Sequence, residues 1–410
     1  MALFSAVRYR VVDFELEHDW PTVQLNPDED GVALLMRLRG RPVAFIMRAY
    51  SPGQAVLGQD LRAQFSSQAF QAALDQSIRE ELVPAQPQAS LPAITAAICT
   101  RGRPHLLEPC LRSILALGAG QGIEIVVVDN DPPDLLTAQL VAGLDGVRYV
   151  LEPRAGLDIA RNRALREAAG TFVAFLDDDV VVDREWLRGL REALAENPDA
   201  GVITGLVLPQ ELSTPAQIVF ELRGGFRRGF RKLRYEGDHQ PGNPLYPLGA
   251  GMFGAGANMA LRREEALRIG GFDEALDTGP PLPGGGDLDI FSRMIRAGAP
   301  LVYEPRMLVF HRHRPEMEAL RRQYFSWGTG LMAFVSKTYR DDPRTRLRLR
   351  GLIIWWIRYE LRQVLDNALG RGRGWGPPHL AVVELVGGLV GLTGAYERSQ
   401  RRIASARGDA

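Results

Sequence analysis

Cysteine is almost absent from this sequence of 410 residues, which contains only Cys99 and Cys110. Two cysteines form neither a disulfide framework nor a four-ligand zinc site, and such a composition is typical of a reducing cytosol. An excess charge of either sign is also lacking, because 49 Lys and Arg residues balance 49 Asp and Glu residues. A neutral chain has no overall field that attracts nucleic acid, so we expect no nucleic-acid partner.

Long apolar runs are lacking too. Charged residues interrupt the amino-terminal segment before a signal-peptide core is complete, so we expect no secretory leader and a cytoplasmic protein. Residues 349–359 and 380–396 are the most apolar segments, but both are shorter than the ~20 residues that cross a bilayer. The chain also contains no Walker lysine motif, no G-x-S-x-G elbow and no H-E-x-x-H helix, which argues against those three classes of hydrolase.

The length of the chain predicts more than one structural unit. We expect residues 1–90 to form a small appended module that contains β-structure. Its apolar runs at 32–38 and 43–47 predict a hairpin, because turn-forming residues separate them. A helical stretch at 68–82 and a proline-rich linker at 84–92 follow, and the linker predicts a domain boundary.

Residues 91–330 alternate short apolar strands with helical patterns, which is typical of βαβ units on a mainly parallel α/β sheet. The strand expected at 172–176 is followed directly by three carboxylates. Open α/β sheets bind ligands at the carboxyl ends of their strands, so we expect the functional site at this point. Residues 331–410 predict a helical extension with a basic segment.

The three carboxylates are Asp177, Asp178 and Asp179. Placing them together costs electrostatic repulsion unless a cation or hydrogen-bond donors offset it. Mn²⁺ and Mg²⁺ prefer oxygen ligands and are commonly held by one or two carboxylates together with phosphate oxygens. The alternatives are a solvated turn and a helix N-cap, because a helical pattern follows.

A second acidic cluster follows a run of three glycines and begins with Asp287. Glycines permit close approach of a substrate, and a carboxylate placed there can act as a general base. The alternative is an ordinary aspartate N-cap of the helix expected at 290–297.

Five further side chains are weaker candidates. Asp129 ends a strand, and Arg154 and Arg161 flank a loop that could face phosphates or a nucleobase. The alternative for these three is surface ion pairing. His311 and His313 follow a strand, and an imidazole could complete a metal site, although an exposed histidine pair has the same sequence signature.

The basic segment of the extension, residues 344–373, contains eight arginines around the pair Trp355 and Trp356. Arginine and tryptophan together are typical of a helix that lies in a membrane interface. A helix packed on the preceding domain would have the same composition, and the sequence leaves both interpretations open.

The order of these motifs resembles the family 2 glycosyltransferases, which have the GT-A fold. The resemblance covers about residues 92–330 and rests on residues 94–103, 126–130, 156–162, 175–179, 254–258 and 286–289 and on His311. The closing segment, residues 384–398, is similar to the ends of bacterial family 2 enzymes of surface polysaccharide synthesis.

The resemblance implies roles for individual residues. Thr100 and Arg101 would line the nucleotide pocket, and Asp129 would bind the nucleobase. The full set implied to contact the donor is Thr100, Arg101, Asp129, Arg161, Asp177, Asp178, Gly256 and Asn258. The three aspartates match the family's D-x-D motif, with Asp178 in its variable middle position. The implied ligands of Mn²⁺ or Mg²⁺ are Asp177, Asp179 and His311, with His313 as the alternative histidine.

Asp287 is implied as the catalytic base, and Asp289 and Arg293 as supporting residues at the acceptor side. Gly286 departs from the family pattern, because a glutamate is common at this position. The departure puts in doubt how the acceptor or the base is oriented.

The implied reaction transfers a sugar, with inversion, from a nucleotide sugar such as a UDP-sugar to a glycan or lipid-linked acceptor. The expected location is the cytoplasm, with possible peripheral contact at the cytoplasmic face of the membrane. Two other functions are considered. A nucleotidyltransferase that makes nucleotide sugars would need a glycine-rich, lysine-containing first loop, which residues 99–104 lack. A catalytically silent scaffold would bind the nucleotide sugar without turnover.

Overall fold

The structure is a computed structural model of the full chain. It describes residues 8–63, 71, 74, 75, 78, 91–117, 122–249, 251–279, 282–369, 377 and 379–407. Most of the helix expected at 68–82 and of the linker expected at 84–92 lies outside the described residues. The statements below concern the described part of the chain.

The strands alternate with helices from residue 94 onward, as the apolar pattern indicates. In chain order they are β1 (Tyr9–Glu15), β2 (Val23–Gln24), β3 (Gly31–Leu38), β4 (Arg41–Ala49), β5 (Ala55–Val56), β6 (Ile94–Thr100), β7 (Ile123–Asn130), β8 (Val147–Glu152), β9 (Phe172–Asp177), β10 (Val180–Val182), β11 (Val202–Pro209), β12 (Leu233–Tyr235), β13 (Asn258–Arg262) and β14 (Leu301–His311).

The helices are short between the strands and long after residue 316. In chain order they are α1 (Gly58–Ala63), α2 (Pro104–Leu115), α3 (Leu136–Ala142), α4 (Leu157–Glu167), α5 (Trp186–Glu196), α6 (Pro215–Leu222), α7 (Arg263–Arg268), α8 (Gly286–Arg296), α9 (Met317–Asp341), α10 (Arg346–Ala368), α11 (His379–Val390) and α12 (Tyr396–Arg407). A 3₁₀ turn at Pro343–Thr345 and a π-helical turn at Gly391–Ala395 join the last helices.

The central sheet has the strand order β10-β14-β11-β13-β9-β6-β7-β8, with β12 also paired to β14. Strands β9, β6, β7 and β8 are parallel, which confirms the βαβ expectation for this half. The other half is mixed, because β13 runs antiparallel between β9 and β11 while β10 and β12 run antiparallel to β14. The expected mainly parallel sheet is therefore half correct.

The amino-terminal module forms its own small sheet, in the order β1-β3-β4. Strands β3 and β4 are the hairpin that the sequence predicts. The module does not stand apart, because Tyr9, Leu35 and Phe45 share a hydrophobic cluster with Leu206 and Leu308 of the central sheet. Burial of this apolar surface attaches the module to the back of the sheet.

The carboxyl-terminal helices pack on the α/β unit. The expected boundary at residue 330 lies inside α9, whose glycines Gly328 and Gly330 touch both neighbours. A β-carbon on Gly330 would lie 2.6 Å from the backbone of Gly284, and one on Gly328 would lie 2.0 Å from the carbonyl oxygen of Glu384 in α11. Glycine is required where two backbones approach so closely. Helix α9 therefore packs both against the glycine run before α8 and against α11.

One helical segment of the described chain, His379–Ser405, is long and apolar enough to cross a membrane by length and composition. The sequence analysis considered only the apolar run at 380–396, which is shorter than a membrane span, whereas the helical segment that contains it has 27 residues. The same test is passed by core helices of soluble proteins, and 39% of its apolar window is buried inside the protein.

The sheet brings the candidate residues to one edge. Strands β6, β7 and β9 are parallel, so their carboxyl ends at Thr100, Asn130 and Asp177 meet there. Strand β13 is antiparallel to both β9 and β11, so β9 and β11 run in the same direction. Strand β14 is parallel to β11 and therefore also runs in the direction of β9. His311, the last residue of β14, therefore lies at the same edge.

Candidate active site

Asp177, Asp179 and His311 form one cluster. Each offers a ligand atom within 4.8 Å of the other two. The register explains this proximity, because Val180 of β10 pairs directly with His311 of β14 and so places Asp179 beside the imidazole. Nε2 of His311 lies 3.3 Å from Oδ1 of Asp179. The sequence predicted these three residues as metal ligands, and the fold brings them together.

The chemistry of this cluster fits a hard divalent cation. Oδ1 of Asp179 is buried and has no hydrogen-bond partner among the described residues. Burial and the charge of Asp179 raise the pKa of Asp177, which reports the repulsion that a cation would offset. Burial also lowers the pKa of His311 to about 4, so its imidazole is neutral near pH 7. A neutral imidazole keeps the lone pair that a metal requires.

His313 lies behind His311 rather than in the cluster. The Nδ1 atoms of the two rings are 3.0 Å apart, and Nε2 of His313 lies 2.9 Å from Oε1 of Glu221. This chain of contacts fixes the orientation of the His311 ring, as partners of metal-binding histidines commonly do. Of the two histidines that the sequence offered, the geometry favours His311.

Two arginines that the sequence analysis did not single out place positive charge beside Asp179. Arg103 Nη1 and Arg314 Nη1 lie 3.6 and 3.5 Å from Oδ2 of Asp179. Burial would raise the pKa of Asp179, but the charge that His311 carries when protonated in acid, together with these guanidinium groups, outweighs it and lowers the pKa. Arg103 follows β6 and Arg314 follows β14, so their position after a strand end was the available signal.

Asp178 faces away from the cluster and is fully buried. Its Oδ2 accepts hydrogen bonds from Thr100 Oγ1 at 2.6 Å and from Arg103 Nε at 3.0 Å. Burial raises the pKa of Asp178 to about 7 despite Arg103. Asp178 and Thr100 therefore hold the loops after β6 and β9 together through their side chains. The donor contacts implied for these two residues stay predictions.

Asp129 and Arg101 occupy the next part of the edge. Asp129 is buried, its Oδ2 accepts a hydrogen bond from Tyr149 at 2.9 Å, and its Oδ1 has no partner among the described residues. Burial raises the pKa of Asp129. Arg101 is exposed and forms an ion pair with Asp131. Oδ1 of Asp129 is thus an acceptor without a protein partner among the described residues, and the nucleotide contacts implied for Asp129 and Arg101 stay predictions.

Asp287, Gly256 and Arg161 meet on the other side of the cluster. The amide of Gly256 donates a hydrogen bond to Oδ2 of Asp287 at 3.2 Å. A β-carbon on Gly256 would lie 3.0 Å from Nη2 of Arg161, so this position has space only for glycine or a shifted arginine. Arg161 is buried and pairs with Asp158 at 3.0 Å. The three predicted residues are therefore neighbours.

Asn258 is turned into the core, contrary to its expected donor contact. Its Oδ1 accepts a hydrogen bond from Trp186 Nε1 at 3.0 Å, and its Nδ2 donates to the carbonyl oxygens of Leu206 and Met307 at 3.1 and 2.6 Å. The side chain is fully buried. Its hydrogen-bonding groups already have protein partners, so Asn258 supports the sheet beneath the site.

Asp289 and Arg293 also lie away from Asp287. Asp289 contacts Arg293 Nε at 2.7 Å and Lys337 Nζ at 2.6 Å, and Lys337 also pairs with Asp273 at 2.8 Å. Arg293 donates to the backbone carbonyl oxygens of Ile269 and Gly271. Their expected supporting role is therefore structural in this arrangement, because they tie α8 to α9 and to the loop after α7.

The chain has relatives among known proteins. Residues 95–254 match the family model described as glycosyl transferase family 2. The chain is 31% identical over 234 residues to the succinoglycan biosynthesis protein ExoM of Rhizobium meliloti, covering 55% of this chain and 68% of that protein. It is 26% identical over 300 residues to the pre-mycofactocin glycosyltransferase of Mycobacterium tuberculosis, covering 72% of this chain but only 58% of that protein.

Among solved structures, the chain is similar to a mannosyltransferase from Pyrobaculum calidifontis, PcManGT, in complex with GDP-Man and Mn²⁺. That similarity has a TM-score of 0.48 at 19% identity and covers 81% of this chain and 91% of that one. The α/β architecture with a helical carboxyl-terminal region, expected from the sequence, is confirmed by the sheet and helices described above.

Proposed function

Since the chain belongs to glycosyl transferase family 2, and is thus a glycosyltransferase, we propose that it is metal-dependent and inverting. The donor is a nucleoside diphosphate sugar, UDP-linked, and the acceptor is a hydroxyl group of a glycan or a lipid-linked glycan in surface polysaccharide synthesis. The observation that carries this proposal is the cluster of Asp177, Asp179 and His311. The amide of Asp177 donates to the carbonyl oxygen of Ala257, and the amide of the preceding Gly256 donates to Asp287, so the base lies near the cluster.

The cation is held by Asp177, Asp179 and His311. A bound Mn²⁺ or Mg²⁺ would supply positive charge to the diphosphate as negative charge develops on it. Arg103 and Arg314 lie close enough to Asp179 to add positive charge on the same side. Arg161, buried between Asp158 and Gly256, stabilises the far side of the donor pocket. The nucleobase lies against Asp129, whose free Oδ1 accepts a hydrogen bond from it.

Asp287 is the base. Its carboxylate accepts the proton of the acceptor hydroxyl as the acceptor oxygen forms a bond to the anomeric carbon. The bond from that carbon to the diphosphate oxygen breaks, and its electron pair leaves with the diphosphate. The hydrogen bond from the amide of Gly256 keeps Oδ2 of Asp287 in place. Because a single carboxylate acts as base and none is required as nucleophile, the displacement occurs in one step and inverts the anomeric configuration.

The acceptor is delivered at a membrane surface. Helices α10 and α11 pack side by side and expose apolar side chains at the spacing of a helix face. These side chains are Ile354, Trp355, Ile357, Leu361, Leu365, Val382, Val386 and Leu389. Arg358 and Arg362 are exposed beside this face, so its chemistry matches an anionic lipid surface. The enzyme therefore works in the cytoplasm, peripherally on the cytoplasmic face of the membrane.

Calorimetry with UDP, in the presence and absence of Mn²⁺, tests the donor site. We expect UDP binding that requires Mn²⁺ and that Asp179→Asn abolishes. The matched control is Asp199→Asn, because Asp199 is exposed and paired only at the surface. If no nucleoside diphosphate binds with any divalent cation, the donor-site assignment is wrong. Binding without release of UDP from any UDP-sugar would instead support a silent scaffold.

Co-sedimentation with vesicles tests the membrane contact. We expect binding to vesicles that contain phosphatidylglycerol, weakened by salt and by the double substitution Ile354→Ser and Leu361→Ser. Leu267→Ser is the control, because Leu267 is exposed on α7 outside this face. Equal sedimentation of all variants, or a dimer of the wild type that the double substitution dissociates, would contradict a membrane role for the face.

A further inference from the structure

Gly286, the first residue of α8, has no space for a side chain. A β-carbon on Gly286 would lie 2.1 Å from Oδ2 of Asp158 and 2.6 Å from Oδ2 of Asp277, far inside van der Waals contact. Two carboxylates, one from α4 and one from the loop before α8, therefore fill the volume that a side chain at 286 would take. The residue that follows is Asp287, the base of the proposed reaction.

Asp277 is tied to this position from two sides. Its Oδ2 accepts a hydrogen bond from the amide of Gly286 at 3.0 Å, and its backbone carbonyl oxygen accepts one from Leu157 at 2.9 Å. Its backbone is left-handed, with φ of 46°, which is unfavourable for a residue other than glycine. Such a conformation persists only where the surroundings determine it, and it recurs at functional sites.

The carboxylate of Asp277 also belongs to the charge arrangement around the base. Arg161 Nη1 lies 3.0 Å from Oδ1 of Asp158 and 3.5 Å from Oδ2 of Asp277. The guanidinium of the same Arg161 borders Gly256, whose amide holds Asp287. Asp277 therefore contacts the backbone just before Asp287 and the arginine just across from it. Burial raises the pKa of Asp277 to about 6, although Arg161 opposes this.

We propose that Asp277 is a positioning residue for Asp287 and occupies the place of the side chain that Gly286 lacks. The proposal rests on the proposed function, because it takes Asp287 as the base. Gly286 places no side chain directly before Asp287, and Asp277, nine positions upstream, brings a carboxylate into the space that a side chain at 286 would occupy. Through the amide of Gly286 it sets the start of α8, and hence the direction of the Asp287 side chain.

Three variants separate positioning from a merely structural role. Asp277→Ala removes the acceptor for the Gly286 amide, whereas Asp277→Asn keeps an oxygen that can accept it. Gly286→Ala should displace the carboxylates of both Asp158 and Asp277 and should therefore impair turnover at least as much as Asp277→Ala. Gly351→Ala is the matched control, because a β-carbon there meets only Leu245, at an ordinary 3.6 Å.

The first readout is release of UDP from a panel of UDP-sugars, together with Mn²⁺-dependent binding of UDP. We expect Asp277→Ala and Gly286→Ala to lower turnover on the order of 10²-fold, the effect of misplacing a catalytic group by about 1 Å. UDP affinity should fall much less than turnover in all variants, because Arg161 is the one proposed donor contact that Asp277 pairs with. Asp277→Asn should recover most of the turnover. Full turnover in Asp277→Ala would overturn the proposal. An Asn variant as impaired as the Ala variant would also overturn it, because the effect would then come from the lost charge beside Arg161 and not from the hydrogen bond to Gly286.

The second readout is hydrogen exchange of the amides in residues 284–290, which needs no substrate. Asp277→Ala should speed exchange there, and Asp277→Asn should not. If the wild type neither binds UDP nor releases it, the proposed function fails, while this exchange measurement still decides whether Asp277 holds the start of α8. Equal exchange in the wild type and Asp277→Ala would overturn the positioning role.

Discussion

Arg37 of the amino-terminal module forms a buried, bidentate ion pair with Asp183, directly after strand β10. Nη2 and Nη1 of Arg37 lie 2.7 and 3.2 Å from the two carboxylate oxygens of Asp183, and Nε donates to Asp13 at 2.7 Å. Only 1% of the Arg37 side chain is exposed. Since β10 follows Asp179 and pairs with His311, the amino-terminal module holds the strand beside the cluster of Asp177, Asp179 and His311.

Replacing Arg37 by methionine should therefore be costly. Asp183 would remain buried without its partner, and removal of one member of a buried pair costs about 3–5 kcal/mol. We expect urea denaturation to show a loss of that size for Arg37→Met. Arg8→Met, which breaks an exposed pair with Asp28, should change the free energy of unfolding by less than about 1 kcal/mol. Similar losses for both variants would mean that the buried pair does not hold the module.

Substitution of Asn258 should affect stability rather than donor binding. Asn258→Ala leaves the indole of Trp186 and two backbone carbonyl oxygens without partners in the core, and each costs about 1–3 kcal/mol. We expect a marked drop in the denaturation midpoint, with Mn²⁺-dependent UDP affinity of the folded fraction unchanged. Asn26→Ala is the control, because Asn26 is exposed. A selective loss of UDP affinity would restore the donor role that the sequence suggested.

Substitution of His311 should lower the Mn²⁺ affinity more than substitution of its neighbour His313. His311→Ala removes a ligand of the proposed cation and should have the largest effect. His313→Ala removes only the partner of His311, and loss of such an outer contact typically costs about 10–100-fold in metal affinity. His239→Ala, in an exposed loop, should have none. Titration of Mn²⁺ followed by electron paramagnetic resonance gives the three affinities, and an effect of His313→Ala larger than that of His311→Ala would reverse the assignment.

The carboxyl-terminal helices should lose stability as the pH rises. Burial and the charge of Glu360 raise the pKa of Glu384 to about 8, and burial raises that of Glu360 to about 7. In the unfolded chain a glutamate has a pKa of ~4.3. Between that pH and the raised pKa values of Glu360 and Glu384, the native state therefore binds more protons than the unfolded state. The free energy of unfolding therefore falls with increasing pH, by up to about 1.4 kcal/mol per pH unit for each proton. Below the unfolded pKa this contribution is fully present.

Urea denaturation across pH 5–9 measures this slope. Glu384→Gln should flatten it and should stabilise the protein most at the alkaline end, because the neutral amide needs no proton. Glu318→Gln is the control, since Glu318 is exposed on α9. A wild-type stability that rises between pH 5 and 8, or an unchanged slope in Glu384→Gln, would contradict the buried protonated pair.

The elements near the site were largely predictable, because their signals are local. Strand β9 and its terminal carboxylates are adjacent in sequence, and parallel strands bring their carboxyl ends together whatever the rest of the chain does. The order of the strand-end motifs carries the family resemblance, and that resemblance implied Asp177, Asp179 and His311 as one set of ligands. The antiparallel insertion of β13 was missed, because its five residues, Asn258–Arg262, carry too short a pattern to distinguish a strand from a loop.

The sequence by itself determined the chemistry available at this edge of the sheet: carboxylates, an imidazole, glycines and arginines at strand ends. Only the tertiary structure decided which atoms face the site. The side chain of Asp178 contacts Thr100 and does not join the cluster of Asp177, Asp179 and His311. The side chain of Asn258 points into the core. Asp277 reaches Gly286 because the loop between them folds back. Side-chain direction depends on register and on packing between segments far apart in the chain, and no local pattern encodes either.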